Sequence, residues 1–288
     1  MIGISFEIQL IAILTAASCS ILGTFLMLKN MAMISDAITH TVLLGIVLAF
    51  LSAGNLSSPL LILGGGMTGV LTVYMVELLN SSRLLKEDAS IGVVFPLLFS
   101  IAIILISKYA GNVHLDVDSV LLGELAFAPL NRMEIYGISL PEGMVLTLMM
   151  FIVNSLFVII FYKELKISTF DKGFALALGM KPIFVHYMLM TLVSVTAVTS
   201  FEAAGSILVI GFMVGPPVIS RLLTNKLSHI FVINILLSIF VSLAGFYIGM
   251  FFDISIAGSI SVVMGVVFVI MFLFFHKKFK LREKILKK

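Results

Sequence analysis

The chain alternates long apolar runs with short polar breaks. Nine runs stand out, at about 9–28, 31–54, 59–80, 89–108, 143–163, 183–200, 204–223, 229–251 and 255–275. A helix needs about 20 apolar residues to cross a hydrocarbon layer about 30 Å thick, and most of the runs match that length. The break between the sixth and seventh runs is only Phe201-Glu202-Ala203. One of those two is therefore the candidate for a broken or re-entrant piece, which makes eight spans plus a re-entrant segment the alternative count. The expected fold class is all-α and polytopic, with one transmembrane domain over 1–288.

Composition strengthens the membrane reading. The chain is 60% hydrophobic and 11% charged, where a soluble domain carries about 25% charged residues. Basic residues then set the orientation, because loops rich in Lys and Arg stay in the cytoplasm. With the amino terminus outside and nine spans, sixteen of the 18 Lys and Arg fall inside, and only Lys108 and Arg132 fall outside. That arrangement makes 109–142 an extracellular loop region, 164–182 a cytoplasmic loop and 276–288 a basic cytoplasmic tail. The first run lacks a basic leader, so it is expected to remain as an uncleaved span. The net charge of +3 follows from this loop and tail placement, and no stacking aromatics accompany the lysines as nucleic-acid binding would want. Cys19 is the only cysteine; it excludes an internal disulfide and reads as a small packing residue.

Asp36 and His40 carry the main chemical clue. Four residues apart, they project from one helix face about one turn from each other, near the start of an apolar run. Burial of both in hydrocarbon is costly, so the pair is a candidate functional site, with a helix-capping Asp and a satisfied core His as the rival readings. Carboxylate oxygen and imidazole nitrogen suit Mn(II), Fe(II) and Zn(II). Met27, Met31 and Met33 lie nearby, but among 17 methionines in an apolar chain they read as packing. Glu77 reads as a snorkelling or paired carboxylate, and His186 and His229 as contacts to headgroups or helix termini. Gly64, Gly65, Gly66 and Gly69 favour close helix packing. Gly215-Pro216-Pro217 is expected to break or end a helix by removing backbone donors. Neither a G-x-x-x-x-G-K-[ST] phosphate loop nor an H-E-x-x-H zinc motif occurs. The chain is expected to be no enzyme and to bind no cofactor of its own.

Two loops are more specific than connectors. The inner one reads as a short helix, capped by Ser168 or Thr169, with Asp171 in its first turn and Gly179 and Pro182 as stops. Phe170, Phe174, Ala177 and Leu178 form its apolar stripe. A protein partner inside the cell, or an interfacial position on membrane lipid, would cover that stripe. In the outer loop, His114, Asp116 and Asp118 alternate and would converge as hard ligands if extended. Followed by Glu124, the same segment reads equally as the polar start of a gate helix. Glu202, in the short outward link, is a candidate for the extracellular gate or metal mouth.

Three segments carry a family resemblance: Met33 to Gly45, Ser168 to Gly179 and Ala204 to Pro217. They resemble, in order, the permease subunits of bacterial ATP-binding-cassette importers for manganese, zinc or iron(II). The run from His114 to Pro129 is closer to the manganese-type branch. The resemblance implies a dimeric permease in the bacterial cytoplasmic membrane, made from a second copy or a related permease. It also implies a cytoplasmic ATPase pair that binds the ATP and an extracellular solute-binding lipoprotein that delivers the metal. Under it, Asp36 and His40 match the intramembrane metal motif. Ser168, Thr169, Phe170, Asp171, Phe174, Ala177 and Gly179 match the coupling helix that docks on the ATPase. Mn(II) is the expected cargo, with Zn(II) or Fe(II) as alternatives. A vitamin B12 or siderophore permease, a proton-coupled carrier and a structural or receptor membrane protein are the competing classes.

Overall fold

The structure, a computed structural model, describes residues 2–54, 58, 60–82, 84–109, 125–135 and 138–286. Among them lie eleven helices: α1 (Ile2–Leu28), α2 (Ala32–Ala53), α3 (Leu60–Ser81), α4 (Glu87–Tyr109), α5 (Glu142–Ile160), α6 (Tyr162–Phe170), α7 (Lys172–Ala177), α8 (Pro182–Ala204), α9 (Ser206–Leu223), α10 (Leu227–Phe252) and α11 (Ile256–Leu286). Nine of these are long and apolar enough to cross a membrane, and they coincide with the nine apolar runs. The outward faces of α3, α4, α5, α10 and α11 present large apolar side chains such as Met67, Ile104, Ile159, Phe251 and Val262. A water-facing surface does not tolerate contiguous apolar area of that extent, whereas lipid tails do.

α1 is the central post, packed against α5, α8, α9 and α10. Lipid gives apolar helices no drive to associate, so polar bonds and close approach must hold them. Two buried asparagines supply the bonds. Asn154 of α5 donates to Ser18 Oγ on α1 and to Thr196 Oγ1 on α8, both at 2.9 Å. Asn234 of α10 donates to Thr24 Oγ1 at 2.8 Å. Each such bond contributes roughly 0.6 kcal/mol in membrane proteins, up to about 1.7.

Close approach is supplied by glycine. α2 and α3 meet backbone to backbone at Gly45 and Gly64, where a Cβ on Gly64 would lie 2.5 Å from the Gly45 carbonyl oxygen. α3 also rests on α8, with Gly65 against Val198 and Gly69 against Ser194. α9 follows α8 after Gly205 alone, whose φ of +76° suits glycine best. α8 and α9 are both full helices, so neither is a short re-entrant piece.

Two expectations need correction. Pro216 and Pro217 do not break α9, which continues to Leu223. Without a donor at Pro217 the Met213 carbonyl is freed, and Gly23 of α1 packs directly onto it, leaving no room for a side chain. The close approach of α1 covers the freed carbonyl there. The second correction is a two-stranded antiparallel hairpin, β1 (Arg132–Ile135) with β2 (Ile138–Pro141), inside the 109–142 region of a chain whose other described elements are helices. Arg132 ties it to Glu7 at the start of α1, at 2.6 Å. The hairpin and the start of α1 thus share one end of the bundle. Lys29, α7 and the start of α8 share the other, which is the basic end. α11 carries the basic tail onward as helix to Leu286.

Candidate metal site and coupling surface

α2 enters from Met31, which makes no side-chain cap. Asp36 therefore caps nothing, and the first rival reading falls. Neighbouring hydroxyls turn inward on their own helix: Ser35 donates to the Ala32 carbonyl and Thr39 to the Asp36 carbonyl. They leave the Asp36 carboxylate and the His40 ring to each other, with Nε2 and Oδ1 3.5 Å apart. The ring joins two aromatics of α4 in a cluster of three, with centroids 5.0 Å from Phe95 and 6.0 Å from Phe99, which are 5.9 Å from each other.

The pair sits in a helix whose flanking residues Ile34, Ser35, Ala37, Ile38 and Thr39 are buried. Yet Asp36 is 42% exposed and His40 28%. Asp36 is the fifth residue of α2, so the pair lies near the end of the helix on a part-open face. Among the described residues no group of three or more His, Cys, Asp or Glu could hold a metal. One chain brings two donors to this place.

The inner segment forms two helices where the sequence suggested one. Ser168 and Thr169 belong to α6, and Ser168 is buried and bonds back to the Leu165 carbonyl at 3.4 Å. Neither caps the following helix. Asp171 does so, accepting from the Phe174 N–H at 2.8 Å. The reason is local: the 162–170 run is itself helical, so the extended break falls at Asp171, with φ −148° and ψ 97°. Gly179 ends the segment with φ +75°. Ala177 and Leu178 are exposed beside Phe170 (65%) and Phe174 (54%), so the apolar stripe stands clear of its own chain.

His114, Asp116, Asp118 and Glu124 lie outside the described residues. Glu202 falls in the last turn of α8, and its side chain is outside the described set.

One cluster is absent from the sequence reading as a unit. His186 is not a headgroup or helix-terminus residue: it is buried, with Nε2 2.6 Å from Glu77 Oε1. Tyr187 donates its hydroxyl to Glu77 Oε2 at 2.8 Å, and Lys29 Nζ lies 3.2 Å from His186 Nδ1. Burial, with Lys172 nearby, pushes the Lys29 ammonium down to about 8, and Glu77 opposes that shift. The signal was present as spacing. Gly65, Gly69, Val73 and Glu77 recur every four residues along one ridge of α3, and the ridge begins with the two packing glycines.

Nine helices long and apolar enough to span, among the described residues, define a polytopic membrane protein. The family model described as the ABC 3 transport family matches residues 3–275, and the chain belongs to that family. It is a multi-pass permease of the cytoplasmic membrane, as the motif resemblance implied. The chain is 40% identical over 273 residues to the manganese transport system membrane protein MntD of Bacillus subtilis, covering 94% of this chain and 92% of that one. It is also 40% identical to the zinc transport system membrane protein TroD of Treponema pallidum, covering 95% of this chain and 74% of that one. Among solved structures, PsaBC from Streptococcus pneumoniae in complex with Fab superposes with a TM-score of 0.76 at 25% identity, over 92% of this chain and 90% of that one.

Proposed function

We propose that the chain is the membrane-spanning subunit of an ATP-driven divalent-metal importer that passes its cargo, Mn(II) first, through the Asp36/His40 site. The observation that carries this reading is the polar pair left part-exposed on an otherwise buried stretch of a spanning helix. Its oxygen and nitrogen donors suit Mn(II), Fe(II) and Zn(II), and a cuprous site would want sulfur. Two donors from one chain are too few for a divalent ion stripped of part of its water. A second permease, a copy or a relative, supplies the other pair across a two-fold axis.

Manganese is placed first because the manganese-transport relative aligns over 92% of its own length and the zinc-transport relative over 74%, at equal identity. Zn(II) is the second reading on that equal identity. Intrinsic affinity favours Zn(II) over Mn(II) at such a site, so selection for manganese comes from geometry, coordination number and delivery by the extracellular binding protein.

The transport cycle proposed on this reading has three steps. An extracellular binding protein releases the ion, and the paired carboxylates and imidazoles replace part of its hydration shell. ATP-driven closure of a cytoplasmic ATPase pair pushes on the α7 stripe, with Phe170 and Phe174 as the contact, and opens the inner side. Binding at the site must stay weak enough for release.

The test is uptake of Mn, Zn and Fe by the permease reconstituted with its ATPase and binding protein. Asp36→Asn and His40→Ala are expected to bring uptake to background with assembly intact. Normal accumulation by both variants at normal expression removes the site from the mechanism.

A further inference from the structure

The Lys29–His186–Glu77 cluster joins three helices at the basic end of the bundle, and its chemistry gives it a direction. Lysine has no acceptor, so it donates to His186 Nδ1; His186 Nε2 therefore carries the proton that goes to Glu77. The second Glu77 oxygen is taken by Tyr187. One carboxylate on α3 is thus gripped twice by the start of α8, and the imidazole that grips it is braced from behind by the end of α1.

What lies on either side matters. Upstream of α8, residues 178–181 alone separate Pro182 from α7, and they are folded back by bonds from Gly179 N–H to the Leu176 carbonyl and from Met180 N–H to the Ala175 carbonyl. The exposed stripe and His186 thus ride on one short rigid length of chain. Beyond Glu77, α3 is locked to α2 by the Gly45–Gly64 contact and by Thr72 donating to Thr41 at 2.7 Å. α2 carries Asp36 and His40. Displacement of α7 has a continuous stiff path to the polar pair, and the cluster is its one ionic joint among the described residues.

We propose that Glu77 and His186 are positioning residues for transport: their bond delivers movement of the 172–177 helix to the helix that bears Asp36 and His40. The proposal rests on the importer reading. An apolar contact would let α3 and α8 slip past each other, whereas a charge-assisted, part-buried hydrogen bond is directional and holds register. Tyr187 keeps the carboxylate oriented, and Lys29 keeps the imidazole in the tautomer that donates to it.

The experiment measures metal ions moved per ATP hydrolysed by the complete complex in proteoliposomes, beside the melting temperature of each variant. Glu77→Gln and His186→Gln are each expected to lower that ratio at least fivefold, with ATP hydrolysis and assembly retained. Their double variant is expected to be no worse than either single one, as two halves of one joint must be. Tyr187→Phe leaves the His186–Glu77 bond in place and should fall between wild type and Glu77→Gln, which keeps the test available if Glu77→Gln assembles poorly. A merely structural bond would lower the melting temperature at an unchanged ratio. An unchanged ratio in Glu77→Gln, or additive losses in the double variant, overturns the joint alone. A wild-type complex that moves none of Mn, Zn and Fe overturns the importer reading and the joint with it.

Discussion

Gly64→Ala tests whether α2 and α3 are held by backbone contact. The new Cβ would sit 2.5 Å from the Gly45 carbonyl oxygen and 2.9 Å from Ala49 Cβ. Ordinary contact begins at 3.4 Å, so the helices must part by about 0.9 Å, since the nearest atom is backbone and cannot rotate away. Overpacking of this kind costs about 1–3 kcal/mol, and an unyielding partner puts the cost near the upper value. Alanine regains roughly 0.8–1 kcal/mol of helix propensity over glycine. The net is a loss of about 2 kcal/mol, about a thirtyfold change in the folded-to-unfolded ratio, or roughly 3 °C in melting temperature for a chain of 288 residues. Cys19 offers the assay: it is the only cysteine and fully buried, so a fluorogenic thiol reagent reports unfolding in a chain that has no tryptophan. Gly92→Ala is the control, because nothing lies within 4 Å of its added Cβ. A Gly64→Ala protein that melts with or above the Gly92→Ala protein refutes the backbone contact. Metal uptake should fall as well, because the same 0.9 Å shifts α2, with His40, against the α4 aromatics.

Asp171→Ala removes the cap of α7, a change that costs about 0.5–2 kcal/mol where a helix depends on it. A two-turn helix frays under that loss while the bundle does not, so ATP-driven uptake should drop severalfold at an unchanged melting temperature. Equal uptake in Asp171→Ala and wild type would deny α7 a role that depends on its helical form. Lys29 gives a pH signature. Its folded value near 8 lies below the ordinary 10.5, so between those values the unfolded chain binds more protons and stability rises with pH. Below pH 8 both states are protonated and the burial penalty is constant. From pH 7.5 to 9.5 the wild type should gain about 2 kcal/mol relative to Lys29→Met, read as the difference in their melting temperatures. A difference that stays flat with pH refutes the buried ammonium.

Some of this was legible in the sequence because it depends on one segment at a time. Nine apolar runs are nine helices, since length and the absence of interior charge decide crossing without reference to neighbours. Asp36 and His40 fall on one face by helical spacing alone, although spacing did not reveal Phe95 and Phe99 beside the ring. The cap at Asp171 was missed because Ser168 and Thr169 are equally good cap residues, and the choice turns on where the preceding helix stops. The hairpin was missed although Arg132-Met-Glu-Ile135 alternates polar and apolar, the period of a strand. Pro216 and Pro217 were misread because the residue packed over the freed carbonyl, Gly23, is nearly two hundred residues away in the chain.

The Glu77–His186 bond belongs to a third kind of information, which needs one tertiary contact and then follows by counting. Gly65 lies against Val198 and Gly69 against Ser194, so each four-residue step along α3 is matched by four steps back along α8. The two helices are therefore antiparallel and in register. Eight residues beyond Gly69 is Glu77; eight before Ser194 is His186. Both steps are about 12 Å of helix, so the two side chains arrive at the same level. Val73 and Met190, between the polar ends, are fully buried on the shared ridge. Once the glycines fix the distance between the helices, Glu77 cannot avoid His186. The same register predicts that a shift of α8 by one turn, the smallest step its ridge permits, would carry His186 out of reach of Glu77. The bond allows the two helices to move together and resists their moving apart, which is the property a transmitting joint requires.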